Sequence, residues 1–363
     1  MSRLDGGSVE DAFPRADVWG SRLRGLLPLR PRGVLTRPAD LLTARHLANQ
    51  LRADRAGFRD LHRLQRTVSD LLVFELEDEK RPLVVKHPRS SRAAASLARG
   101  CEAVRDLTFD DRLDEWRRLL PPMEVCRLGG RLPLVAEGRL PGVEGDELLR
   151  RSPHLTRQVT ASALGAVCEL HRATGRLECV TSHIGHWVDP QLAILAEEIP
   201  WCRRGRGAAA TEALRERLRS GLTGHNLTVA WTHGDFHPGN ILLNGEHGTL
   251  TGVIDWANAR RDGPCAIDAY TFVLTLRHQR GGRELGQIVA DVVRRGSLLP
   301  EDRRLLAEAD VPPTDEGPEE DVLPLLTWLW HVAGNAEKSA RYGRSHHWVA
   351  GNVVPVLKEV ARR

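Results

Sequence analysis

Apolar and polar positions change rhythm once along this chain, near residue 140. Before that point they run in short blocks suited to strands. Leu71-Leu-Val-Phe-Glu-Leu76 is β-prone, Glu77-Asp-Glu-Lys80 is a polar turn, and Pro82-Leu-Val-Val85 predicts a short buried strand ending at Lys86. A lysine directly after an apolar strand is unusual, since lysine is disfavoured in strands. A second pair, Met123–Arg127 and Leu132–Ala136, turns at Gly129-Gly130. Between the pairs, Ala93, Ala94, Leu97, Cys101, Val104 and Leu107 mark one side of a helix over 90–107, with Glu102 among them. A helical turn, Asp114 to Leu120, is stopped by Pro121-Pro122. Glu137 to Gly142 holds turn residues and no core pattern, which predicts a hinge between a small strand-rich lobe and a larger helical one.

Beyond the hinge the spacing turns helical, over 159–174, 184–199, 211–222, 265–279, 284–295, 300–309, 325–341 and 348–360. One hairpin interrupts it, Ile241–Leu243 against Leu250–Ile254. Upstream, Leu41, Leu42, Ala44, Leu47, Ala48 and Leu51 predict a helix from Pro38 to about Arg52, packed on the back of the first lobe rather than on a membrane. Residues 1–38, rich in Arg, Pro and Gly, read as an irregular extension. The division expected is therefore 1–54 as a basic extension with one amphipathic helix, 55–139 as the N-lobe and 140–363 as the C-lobe.

Composition narrows the choice of partners. With 363 residues, 41% hydrophobic and 28% charged, the chain is an ordinary soluble one, long enough for two lobes. The net charge of +4 is uneven, because residues 1–66 carry 13 Arg against 7 Asp plus Glu. No nucleic-acid-binding motif accompanies that excess, so no nucleic-acid partner is expected. The six cysteines form no C-x-x-C pair, which predicts buried thiols in a reducing compartment and neither a zinc site nor a disulfide framework. The first residues lack an apolar secretory core, and the longest apolar stretch, Val322 to Gly334, is too short to span a bilayer. A cytoplasmic monomer or dimer without a membrane partner is expected. Only four lysines (Lys80, Lys86, Lys338, Lys358) accompany 48 arginines, so each lysine position carries information.

The chemistry concentrates in Trp231-Thr-His-Gly-Asp-Phe-His-Pro-Gly-Asn-Ile-Leu-Leu243, followed by Val253-Ile-Asp-Trp256. His233, Asp235 and Asn240 stand at the spacing H-x-D-x-x-x-x-N, and Asp255 follows an apolar pair fifteen residues after Asn240. That is the layout of a kinase catalytic loop and its metal-binding aspartate. Phosphoryl transfer needs a carboxylate beside the attacking hydroxyl, which Asp235 can supply. It also needs oxygen ligands for Mg²⁺, which Asn240 and Asp255 can supply.

HGDFHPGN with IDW resembles the aminoglycoside phosphotransferase family, small-molecule kinases related to choline and homoserine kinases. The resemblance runs from about residue 60 to 350, is strongest over 231–271, and leaves residues 1–54 outside. It implies an α+β class: a bilobal protein-kinase-like fold, with a small N-lobe antiparallel sheet and helix and a larger, mostly helical C-lobe. It also implies ATP or GTP with Mg²⁺ as cofactors and a small-molecule alcohol as acceptor. Carried over residue by residue, it makes Asp235 the group that orients the acceptor hydroxyl, and Asn240 and Asp255 the Mg²⁺ ligands. His233 and His237 become structural supports of the loop, and Asp268 braces it from the next helix. Lys86 is implied to contact the α- and β-phosphates, with Glu102 as its ion-pair partner. Backbone groups from Glu137 to Arg139 are placed against the adenine. One departure stands out: Arg66 to Asp70, where a nucleotide-binding kinase has its Gly-rich loop, contains no glycine. Thr67 or Ser69 would then serve as hydroxyl donors.

For the acceptor, Trp328, Trp330, His331, Asn335 and Trp348 suggest a site with aromatic walls and a few polar contacts. Two other readings are carried. A catalytically silent nucleotide-binding regulatory protein would suit the glycine-less loop. A protein kinase would need an Ala-Pro-Glu-type segment after Asp255, and none is present.

Overall fold

The structure, a computed structural model, describes residues 36–54, 58–65, 70–78, 82–128, 132–308 and 317–362. The extension before residue 36, the loop 66–69 with Thr67 and Ser69, and residues 315–316 of the acidic loop lie outside the described residues. The chain divides into two units. One runs to Phe109 and returns for Pro121–Leu140; the other takes Asp110–Leu120 and everything from Pro141.

The first unit contains α1 (Thr36–Asp54), β1 (Phe58–Gln65), β2 (Leu71–Asp78), β3 (Leu83–Pro88), α2 (Ser91–Thr108), β4 (Met123–Leu128) and β5 (Leu132–Gly138). The strands form one antiparallel sheet in the order β1-β2-β3-β5-β4. Alternation along each strand sorts the side chains between two helices. Leu72, Phe74, Leu76, Val85, Leu134 and Ala136 pack with Ala44, Leu47, Ala48 and Leu51 of α1. Val135 instead packs with Ala94, Leu97 and Cys101 of α2, where burial pushes the Cys101 thiol up to about 12. Ser90 starts α2 by accepting a hydrogen bond from the Ala93 N–H at 3.1 Å. α1 is thus a core helix: Ala44, Leu47, Ala48 and Leu51 face the sheet, while Leu42 is left exposed. Leu47 is 2% exposed. Leu47→Ala is expected to cost about 2–5 kcal/mol in urea-induced unfolding, from lost transfer energy plus the cavity left behind. A loss below about 1 kcal/mol would show that α1 is not part of this core.

The second unit opens with β6 (Val143–Glu144), α3 (Gly145–Arg151), α4 (Thr156–Thr174), β7 (Arg176–Cys179), α5 (Ile184–Glu198) and α6 (Gly205–Leu222). Next come β8 (Asn226–Thr232), β9 (Ile241–Leu243), β10 (Leu250–Val253), β11 (Arg260–Pro264), α7 (Ala266–Gly281), α8 (Leu285–Arg295) and α9 (Pro300–Glu308). α10 (Val322–Lys338) and three short helices, α11 (Ala340–Arg344), α12 (His346–Asn352) and α13 (Val354–Val360), close it. Its strands make two small antiparallel sheets, β10-β9-β6 and β11-β8-β7. Among the described residues no helix is long and apolar enough to cross a membrane.

Three expectations change. The 3₁₀ turn Asp111–Leu119, expected with 55–139, belongs to the second unit: the Trp116 Nε1–H donates to the Ala166 carbonyl at 2.8 Å, and its ring meets Trp256 edge-on at 5.9 Å. The helix expected to end near Arg341 stops at Lys338, where extended Ser339 accepts from the Arg341 N–H and starts α11. The helix expected over 348–360 is broken at Val353, because Pro355 has no N–H with which to continue it.

Candidate active site

β8 delivers the chain to Thr232, and the loop 233–240 then carries it into β9, in the other small sheet. Crossing between sheets requires a sharp reversal, and Gly234 provides it at φ +75°. A Cβ there would stand 2.4 Å from the Asn258 carbonyl oxygen, so only glycine fits. The reversal aims two N–H groups at one carboxylate. Those of His233 and Gly234 each donate to Asp268 at 2.8 Å, and His171 Nε2 adds a third contact at 3.0 Å. Asp268 sits in the first turn of α7 with 0% exposure, so its charge is balanced by these donors rather than by water.

His233, also 0% exposed, donates from Nε2 to the Ile254 carbonyl at 2.9 Å. That contact puts its proton on Nε2 and leaves Nδ1 to accept from the Asp235 N–H at 3.3 Å. The Ile254 N–H in turn donates to the Asn240 carbonyl, and Asn240 Nδ2 to the Asp235 carbonyl, both at 2.9 Å. The loop and the segment leading to Asp255 are therefore tied at both ends, by the His233 side chain at one and by backbone at the other. Asn240 keeps Oδ1 as its available acceptor. Asp255, at φ 63° and ψ 61°, is in the left-handed conformation, which costs about 1 kcal/mol or more outside glycine. Trp256 holds it there, fully buried, with Nε1–H on the Val253 carbonyl at 3.0 Å and its ring 4.7 Å from that of His233. His237 Nδ1 caps the next turn by accepting from the Gly239 N–H at 3.0 Å.

Asp235 is 6% exposed and surrounded by nitrogen-bearing side chains. Lys338 Nζ donates to its Oδ2 at 2.7 Å, while His331 Nδ1 and His237 Nε2 stand 3.7 and 3.9 Å from Oδ1. Burial alone would raise its pKa, but Lys338 first, then His331 and His237, outweigh burial and hold it well below the usual carboxylate range. The balance at Lys338 is the mirror image: burial opposes its charge, yet Asp235 and Asp255 raise its pKa above the ordinary lysine value. At His237 burial prevails over Asp235 and Asp146 and lowers the pKa.

The sequence placed His233, Asp235, His237, Asn240, Asp255 and Asp268 near one another, and the structure brings all six together. His331 also belongs here, with Asn335 Nδ2 donating to its Nε2 at 2.9 Å. Trp328 does not. It is 0% exposed, and its Nε1–H is spent on the Asn352 carbonyl at 2.7 Å, so it is core rather than a substrate wall. Three neighbours went unread: Lys338, His171, and Asp146, whose Oδ2 would be 2.8 Å from a Cβ at Gly239. A signal existed for the first, since His331, Asn335 and Lys338 fall at i, i+4 and i+7 on α10.

In the first unit, Lys86 pairs with Glu137 at 2.6 Å, where Glu102 was expected. Strand geometry explains the exchange. Lys86 lies opposite Val135, and Glu137, two residues on, projects from the same face of β5. Glu137 is 4% exposed, so its carboxylate is committed inside the unit. The Arg139 side chain reaches Glu75 at 3.1 Å, and its N–H donates to the Pro82 carbonyl at 2.9 Å, which removes that N–H from the adenine contacts expected of it.

Among the described residues no group of three or more His, Cys, Asp or Glu side chains gathers to hold a metal ion. Mg²⁺ in a phosphoryl-transfer site asks less of the protein, one or two hard oxygen ligands with substrate phosphates completing the shell. Asn240 Oδ1 and the Asp255 carboxylate, 39% exposed, fit that demand.

Residues 60–306 match the phosphotransferase enzyme family. Among solved structures, the chain is similar to a mutant aminoglycoside 2'-phosphotransferase IIIa in complex with GDP, at 16% identity, TM-score 0.52, and 87% and 97% of the two chains covered. It is similar to the aminoglycoside 3'-phosphotransferase of type VIII at 18% identity and TM-score 0.52, covering 79% and 98%. It is also similar to the ADP-bound aminoglycoside phosphotransferase APH(2'')-Ib at 15% identity and TM-score 0.51, covering 87% and 98%. These likenesses speak for a shared fold. No curated protein matches the chain in sequence.

Proposed function

We propose that this chain, which belongs to the phosphotransferase enzyme family, transfers the γ-phosphoryl group of ATP or GTP to a hydroxyl of a small molecule. The observation that carries the reading is the rigid relation of Asp235, Asn240 and Asp255, linked by the Asn240–Asp235 and Ile254–Asn240 hydrogen bonds. In this reading Asp235 accepts a hydrogen bond from the acceptor hydroxyl and takes its proton as the oxygen–phosphorus bond forms. The bond from the γ-phosphorus to the β,γ-bridging oxygen breaks, and its electron pair leaves with the nucleoside diphosphate. Most of the rate in such a reaction comes from positioning and charge neutralisation, which the buried, hydrogen-bonded loop is suited to provide. Mg²⁺ held by Asn240 and Asp255 would neutralise phosphate charge.

The groups around Asp235 also bear on the acceptor. The Lys338 ammonium disfavours a second ammonium directly beside the reacting hydroxyl, so a neutral or anionic flank suits this site better than a polycation. The test is nucleoside diphosphate release from Mg-ATP and Mg-GTP over a panel of aminoglycosides, sugars, amino alcohols and hydroxylated aromatic compounds. Acceptor-dependent release that EDTA abolishes is expected. Nucleotide binding with no acceptor-dependent release across the panel would move the reading to the silent regulatory protein.

A further inference from the structure

Lys338 closes α10 at its last residue, and nothing in the catalytic-loop pattern refers to it. Its Nζ donates to Asp235 at 2.7 Å and to Asp255 at 3.5 Å, so one ammonium touches both the group assigned to the acceptor hydroxyl and a group assigned to the metal. A lysine placed for packing or solubility would not choose that position. The side chain keeps 19% of its surface open, so a ligand can reach it. An ammonium has three N–H donors; the two aspartates take two, and among the described residues no hydrogen bond takes the third. The choice of residue adds to this. In a chain with 48 Arg and four Lys, a compact point charge with three rotatable donors stands between the two carboxylates.

We propose that Lys338 is a phosphate-binding catalytic residue, whose ammonium contacts the γ-phosphoryl oxygens beside Asp235 and stays with that group as it passes to the acceptor. This rests on the phosphotransferase reading and adds to it the cation on the acceptor side of the reaction. The geometry follows from the step itself. The acceptor oxygen sits on Asp235 while it bonds to phosphorus, so the equatorial phosphoryl oxygens come within reach of a cation already bound to Asp235. Those three oxygens carry the charge of the transferring group, and a preorganised donor aimed at them needs no reorganisation as that charge moves. When the phosphoryl group arrives, Lys338 exchanges part of its hold on the two aspartates for phosphate oxygens, and Asp235 becomes free to take the proton.

Equilibrium binding tests this apart from turnover. Mg-ADP lacks the γ-phosphoryl group and Mg-AMP-PNP carries a mimic of it, so the ratio of their dissociation constants isolates the contact. In Lys338→Met, Mg-AMP-PNP is expected to bind about tenfold or more weakly, with Mg-ADP within about twofold of the parent protein. Acceptor turnover should fall by about 10²–10³ in kcat, as for loss of a single charge-stabilising donor. Lys338→Arg should restore part of the AMP-PNP preference. Equal weakening of both nucleotides, no change, or tighter Mg-AMP-PNP binding would each overturn the proposal and leave the phosphotransferase reading in place. A parent protein that binds neither nucleotide would instead remove that reading. If circular dichroism shows the Met variant unfolded, Lys338→Gln, which keeps a polar stem, is judged by the same ratio.

Discussion

Replacing Asp235 by asparagine is expected to lower kcat for phosphoryl transfer by about 10³–10⁴, near the upper range for removal of a positioned proton acceptor. Three features of the site set that size. The carboxylate is buried and oriented by its own loop; Lys338 and His331 keep it ionised against burial; and the nearby Asp255 carboxylate, which shares Lys338, is assigned to the metal. Asparagine preserves shape and can still accept the Lys338 hydrogen bond, so the fold and Mg-ADP affinity should change little. Single-turnover kinetics with a saturating acceptor, alongside Mg-ADP titration, checks both halves. Activity within tenfold of the parent would show that Asp235 is not the group that receives the acceptor proton.

The second large effect is expected at a residue that touches no substrate. Asp268→Asn should destabilise the second unit by about 3–5 kcal/mol and reduce kcat with it. Two backbone N–H groups and the His171 imidazole converge on one carboxylate with 0% exposure. An asparagine offers a single acceptor oxygen and turns an NH₂ group toward one of those donors. Each buried donor left unmade costs about 1–3 kcal/mol, and losing a charged acceptor costs more than losing a neutral one. Urea-induced unfolding followed by tryptophan fluorescence gives the stability. A loss below about 1 kcal/mol, or full stability with full activity, would remove Asp268 as the brace of the catalytic loop.

What sequence could and could not supply differs from one part of the site to another. The loop 233–240 and Asp255 were legible because their geometry is local: a handful of residues make the turn, and the residue types at H-x-D-x-x-x-x-N follow from it. α1 was legible through a helical period of apolar positions that required a partner surface. Lys338 was not, since it arrives from 103 residues downstream and its approach to Asp235 depends on the rotation of α10 about its own axis. The same rotation decides that Trp328 turns inward while His331, three residues later, turns to the site. The partner of Lys86 was misassigned for a different reason. Helix-to-strand pairing was assumed from resemblance, although the two-residue alternation of β5 already put Val135 and Glu137 on one face. β8 and β11 are harder to read from sequence, because Asn226-Leu-Thr-Val-Ala-Trp-Thr232 runs straight into the motif and Arg260–Pro264 is made of charged and turn residues.

α1 has a consequence for where this chain can be cut. The match to the phosphotransferase enzyme family begins at residue 60, yet Ala44, Leu47, Ala48 and Leu51 are buried among the sheet residues behind it. A chain trimmed to the start of that match would lose these core residues and keep the sheet that packs on them. The covered face of β2, β3 and β5 would then be laid open, sticky without the helix and unfit for water. A boundary drawn from the family match alone would therefore cut through a core, whether or not catalysis requires the helix.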